Sequence, residues 1–106
     1  MGIEEQLLRE IVGRITAAAR PTRVILYGSA VGGTTTDDSD IDLLVLEDSV
    51  EDTRRESVRL RAALRGIDMP LDVVVMRTER FEETKRVVGG IAYPAHKYGK
   101  VIYEAA

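Results

Sequence analysis

VILYGSAVGGTTTDDSDIDLLV, running from Val24 to Val45, is the stretch on which the fold turns. An apolar run ends in Gly28-Ser29, and after ten further residues Asp40-Ile41-Asp42 opens a second apolar run. A strand has period two, so Asp40 and Asp42 share one face while Ile41 points to the other. Two carboxylates side by side on a buried strand are costly unless a cation lies between them. Oxygen ligands on a rigid element suit Mg²⁺, which takes one or two protein carboxylates together with phosphate oxygens of a substrate. Gly28 and Ser29 supply the complement, a tight turn whose backbone N–H groups and hydroxyl can hold phosphate. These residues predict a nucleotide and divalent-metal site.

A third acid strengthens that expectation. Asp72 interrupts the β-branched run Leu71-Asp72-Val73-Val74-Val75-Met76. In a strand, Asp72, Val74 and Met76 share one face and Leu71, Val73 and Val75 the other. An acid inside a buried strand needs a partner, and the Asp40–Asp42 site provides one if the two strands are neighbours.

Working outward, Ile3, Leu7, Leu8, Ile11, Val12 and Ile15 recur at helical spacing and predict a helix from Ile3 to Ala19, stopped by Pro21. Arg23 to Tyr27 reads as the first strand, Ser29 to Gly33 as a weak helical turn, and Ile41 to Leu46 as the second strand. Ser49 is the expected cap of a helix running to about Leu64 and ending at Gly66. Leu71 to Met76 is the third strand. Thr78 caps a helix through Arg86, a turn or short helix surrounds Tyr93-Pro94, and Lys100 to Tyr103 is an edge strand. Strands alternating with helices indicate α/β or α+β.

A chain of 106 residues predicts one domain, residues 1–106. Net charge is −3 and the isoelectric point about 5.2, so no global basic field draws the chain to nucleic acid or to an anionic membrane. There are no cysteines, which removes thiolate zinc sites and cysteine nucleophiles. The opening MGIEEQLLRE carries acids where a signal peptide has a basic start, and no apolar run approaches membrane-spanning length, so a cytoplasmic location is expected.

Competing phosphate and metal motifs fail on their own chemistry. A P-loop needs Gly-Lys-Ser/Thr, whereas Thr34 follows Gly33. No Gly-x-Gly-x-x-Gly follows an early strand. Asp38, Asp40 and Asp42 imitate the start of a calcium loop, but Leu43 stands where that loop needs Gly and Ser49 where it needs Glu. His96, the lone histidine, reads as a surface residue and Tyr27 as core. Lys97 and Lys100 read either as solvated charges or as phosphate contacts. Arg54, Arg55, Arg59, Arg61 and Arg65, interleaved with Glu51, Asp52 and Glu56, read as a solvated helix face first and a partner surface second.

Gly28, Ser29, Asp40, Asp42 and Asp72, with Asp38-Ser39 before the acid pair, resemble the signature of the minimal nucleotidyltransferases (MNT) of the DNA polymerase β-like superfamily. The segment from Ile91 to Glu104 is similar to the tail of single-domain members, so the resemblance covers nearly the whole chain. One departure is Ala30-Val31-Gly32-Gly33, where family members often carry basic residues. The resemblance implies a small mixed β-sheet with flanking helices and nucleotidyl transfer by two Mg²⁺ ions. In that scheme Asp40 and Asp42 bridge both ions, and Asp72 ligates the one that activates the acceptor hydroxyl. Gly28 and Ser29 hold the triphosphate. It further implies ATP as donor and a helical partner of the HEPN type, to whose tyrosine AMP would be transferred, making this chain an antitoxin. Two alternatives stay open: a subunit that modifies a small hydroxylated molecule such as an antibiotic, and a non-catalytic module that blocks its partner by contact.

Overall fold

The computed structural model describes residues 5–28, 41–67 and 69–106. Among them are four helices and one four-stranded sheet. Helix α1 spans Glu5–Ala18, followed by strands β1 (Arg23–Tyr27) and β2 (Ile41–Glu47). Helix α2 (Thr53–Ala63), strand β3 (Leu71–Arg77), helices α3 (Thr78–Thr84) and α4 (Ala92–Tyr98), and strand β4 (Lys100–Glu104) complete the order. The strands lie in the order β3-β2-β1-β4, with β2 and β3 parallel and the other two pairs antiparallel. This is the mixed sheet with flanking helices that the family resemblance implied.

The continuous apolar run in β2 follows from its central position. Ile41, Leu43 and Val45 face α1 and α2, where they meet Ile11, Ile15, Leu60 and Leu64. Leu44 and Leu46 face the other way, against Phe81 of α3 and Ala92 and Ala95 of α4. All five β2 side chains are wholly shielded from solvent, so both faces of this strand are core. Gly99, between α4 and β4, permits that second packing. A Cβ there would collide with the Ala95 carbonyl oxygen and the Ile25 side chain.

Helix α3 is docked from the side. The Thr22 and Thr78 hydroxyls are 2.9 Å apart, Arg23 pairs with Glu82 at 2.7 Å, and its guanidinium lies 5.4 Å from the centre of the Phe81 ring. Thr78, expected as a cap, spends its hydroxyl on Thr22, and α3 has no side-chain cap. In α2 the cap is Asp52, not Ser49: its carboxylate accepts from the Arg55 N–H at 3.1 Å. Arg77 explains the later start, because its guanidinium donates to the Val50 and Glu51 carbonyls, both at 2.7 Å, and holds that turn out of the helix.

The outer edge of β3 is closed by side chains of α2. Ser57 Oγ accepts from the Val75 N–H at 2.9 Å, and Arg61 Nη2 approaches the Val73 carbonyl at 3.4 Å. An exposed edge offers unpaired backbone groups to other chains, and these contacts blunt it.

Candidate active site

Three strand ends build the site. β1 runs into Gly28, while β2 and β3 begin beside it. The antiparallel register sets Tyr27 opposite Asp42, and the parallel register sets Asp42 opposite Asp72. Paired positions place their side chains on the same face of a sheet. Tyr27, Asp42 and Asp72 therefore form a row across three neighbouring strands. It lies on the face that α3 and α4 cover further along, at Leu44, Leu46, Val74 and Met76. Asp42 is half-buried and Asp72 more exposed.

Gly28 closes the row from above. Its φ is +86°, a left-handed conformation that costs an L side chain energy. A Cβ there would also run into the Asp42 carboxylate. Backbone and carboxylate approach this closely only because residue 28 has no side chain. Of the residues singled out by sequence, the structure brings Gly28, Asp42 and Asp72 together. Ser29 and Asp40, like the turn expected from Ser29 to Gly33, lie outside the described residues.

Two further groups belong to the site. Burial pushes the Tyr27 phenol up to about 12, helped by the negative charges of Asp42 and then Asp72. It stays protonated at neutral pH. Arg61 of α2 reaches round the edge of β3 and sets Nη2 2.8 Å from Asp72 Oδ1. Sequence reading placed Tyr27 in the core and Arg61 on a solvated face. Only the cross-strand register and the edge position of β3 expose their connection to the acids.

A separate acidic cluster occupies the far end of β2. Glu56 accepts two hydrogen bonds from Arg59, at 2.8 and 2.7 Å, and Arg59 also donates to the Ala18 carbonyl at 2.7 Å, tying α2 to the end of α1. Burial first, then the neighbouring Glu56 carboxylate and its charge, push the Glu47 carboxyl up to about 7, while Arg59 pulls it down. The Arg59 guanidinium holds Glu56 below the usual carboxylate range.

The family model for polymerase beta nucleotidyltransferases matches residues 10–106. The chain belongs to that family. Solved structures agree on the fold. A chain of a toxin–antitoxin complex with AMP-PNP superposes with a TM-score of 0.64 at 22% identity, over 92% of this chain and 73% of that one. A chain from the complex of a tri-AMPylated Shewanella oneidensis HEPN toxin with its MNT antitoxin gives 0.57 at 20% identity, over 97% and 74%. A variant of the MntA–HpeT toxin–antitoxin gives 0.61 at 18% identity, over 92% and 73%. No curated protein matches the sequence. Among the described residues no helix is long and apolar enough to cross a membrane.

Proposed function

We propose that this nucleotidyltransferase-family chain transfers AMP from ATP to a hydroxyl, a tyrosine of a helical HEPN-type partner, and so acts as that partner's antitoxin. The observation that carries the reading is the in-register pair Asp42 and Asp72 under Gly28. Two carboxylates in register on adjacent strands concentrate negative charge and favour a cation between them, beyond the Arg61 guanidinium that Asp72 already meets at one oxygen. The chain has no cysteine, and a set of carboxylate oxygens suits Mg²⁺ or Mn²⁺. Asp40 and Asp42 would hold both ions, and Asp72 the acceptor-side one. Bound there, a divalent pair neutralises the phosphates and polarises the reacting oxygens of an in-line displacement.

This chain's own groups do the rest. Gly28 brings backbone against the triphosphate, and Ser29 adds a hydroxyl. The acceptor oxygen attacks the α-phosphorus, the bond to the β-phosphate breaks, and pyrophosphate leaves. The acceptor proton passes to Asp72, which lies on the open side of the row. The partner and the transferred AMP are supported by the company its structural relatives keep, a HEPN toxin carrying three AMP groups and a complex holding AMP-PNP.

The test is ATP labelled at the α-phosphate, incubated with this chain, Mg²⁺ and the HEPN-type protein that co-purifies with it from its native cell. Label is expected on a tyrosine of the partner. It should be lost with Asp42→Asn, and Asp72→Asn should suppress transfer while sparing most nucleotide binding. Full partner protection by an Asp40→Asn, Asp42→Asn double variant, without label, would instead identify a contact-only antitoxin.

A further inference from the structure

Asp72 already has a cation of the chain's own. Arg61 projects from α2 across the outer edge of β3, and its Nη2 sits 2.8 Å from Asp72 Oδ1. The same nitrogen is 3.4 Å from the Val73 carbonyl, a long contact that cannot by itself hold the guanidinium. The carboxylate is thus the stronger of its two partners. It also has reason to need a counter-ion, because Asp72 stands in register with Asp42, where like charges repel.

The pair is built to be displaced. Both side chains are about half exposed, 51% for Arg61 and 55% for Asp72, and ion pairs so wetted are weak. The guanidinium occupies Oδ1, one of the two oxygens that Asp72 can offer a metal. A divalent ion on the same carboxylate would stand beside a like charge, so the two oppose each other. Among the described residues Arg61 bonds to Asp72 and the Val73 carbonyl, and its exposed side chain has solvent to swing into once the carboxylate is taken.

We propose that Arg61 is a resident counter-ion of Asp72 that competes with the acceptor-side divalent ion. Asp72 holds either the guanidinium or the ion, and Arg61 thereby sets how much metal is needed to complete the site. The proposal rests on Asp72 being a metal ligand, as in the function above. It makes Arg61 a positioning residue whose removal tightens metal binding. A residue that merely capped the β3 edge would leave that binding alone.

The test is titration of the full chain with Mn²⁺ in the presence of AMP-PNP, followed by electron paramagnetic resonance of the free ion. It is paired with thermal unfolding with and without Mn²⁺. Arg61→Met keeps the aliphatic stem without the charge, and Arg61→Gln keeps a donor for the Val73 carbonyl. Both variants should bind Mn²⁺ about two- to fivefold more tightly than wild type, the range an exposed ion pair allows. Their metal-free unfolding midpoints should fall, and saturating Mn²⁺ should close the gap. Unchanged or weaker Mn²⁺ binding, with midpoints lowered equally in both conditions, would overturn the proposal and leave an edge cap. A wild type that binds no Mn²⁺ beside AMP-PNP would overturn the reading of the site itself. Wild-type binding that survives Asp72→Asn undiminished would show that Asp72 is not the contested ligand.

Discussion

Replacing Gly28 with alanine should damage the site out of proportion to the one methyl group added. Two costs are separable. The left-handed backbone at φ +86° costs an L residue roughly 1–2 kcal/mol. In addition, the new Cβ would overlap Asp42 Oδ2 and stand 3.2 Å from Asp42 Cγ, so the carboxylate must turn away or the strand ends must part. For a chain of this size, each kcal/mol moves the unfolding midpoint by roughly 5 °C, so the backbone term alone predicts a fall of about 5–10 °C. The steric term can be isolated with Asp42→Ala, which removes the colliding oxygen and Cγ but leaves φ unchanged. In that background Gly28→Ala should cost less by roughly 1 kcal/mol, a coupling typical of residues in contact. Urea unfolding of the four proteins measures it, and Mn²⁺ titration of the single variant should show lost binding. An identical cost of Gly28→Ala in both backgrounds, or Mn²⁺ binding unaffected by it, would refute the close packing of glycine on carboxylate.

Other perturbations test the frame around the site. Glu47, with a carboxyl raised from 4.5 to about 7, binds its proton more tightly folded than unfolded. Its stabilising share is therefore complete below 4.5 and fades as pH rises through 7. Glu47→Gln should remove that decline, so the variant gains on wild type between about pH 5 and pH 8 in thermal scans; parallel curves across this range would contradict the assignment. Asp52→Ala should cost about 1 kcal/mol through loss of the α2 cap, whereas Ser49→Ala should shift the midpoint by no more than roughly a degree. The reverse ranking would mean that the helix starts earlier than described.

The sheet was legible because its signals are local. Runs of Val, Ile and Leu, the first between Pro21 and Gly28, the second opened by Asp40-Ile41-Asp42 and the third after Pro70, marked β1, β2 and β3 to within a residue at either end. The positions of Asp42 and Asp72 on one face followed from period two, given neighbouring strands, and the parallel register of β2 and β3 supplies that. What was hidden depends on contacts between distant segments. Ser49 and Asp52 are both good capping residues, and the choice between them was made by Arg77, which pins the Val50 and Glu51 carbonyls from β3. Tyr27 looked like core because an aromatic ending an apolar run carries no sign of its cross-strand neighbour. Arg61 looked like one solvated arginine among five, and its bond to Asp72 exists only because β3 is an edge strand flanked by α2. Helix α3 stops at Thr84 rather than continuing to Arg86; the Thr84 hydroxyl bonds back to the Arg80 carbonyl at 2.8 Å.

The central claim is that the carboxylates beside Gly28 hold paired divalent ions for nucleotidyl transfer. Crystals grown with AMP-PNP and Mn²⁺ would test it most directly, through anomalous scattering that locates the metal without assumption. The expected result is two peaks about 3.5–4 Å apart. One should be shared by Asp42 and Asp72, with the α-phosphate alongside and the Arg61 guanidinium withdrawn from Asp72. No peak between Asp42 and Asp72, with the nucleotide bound elsewhere, would contradict it.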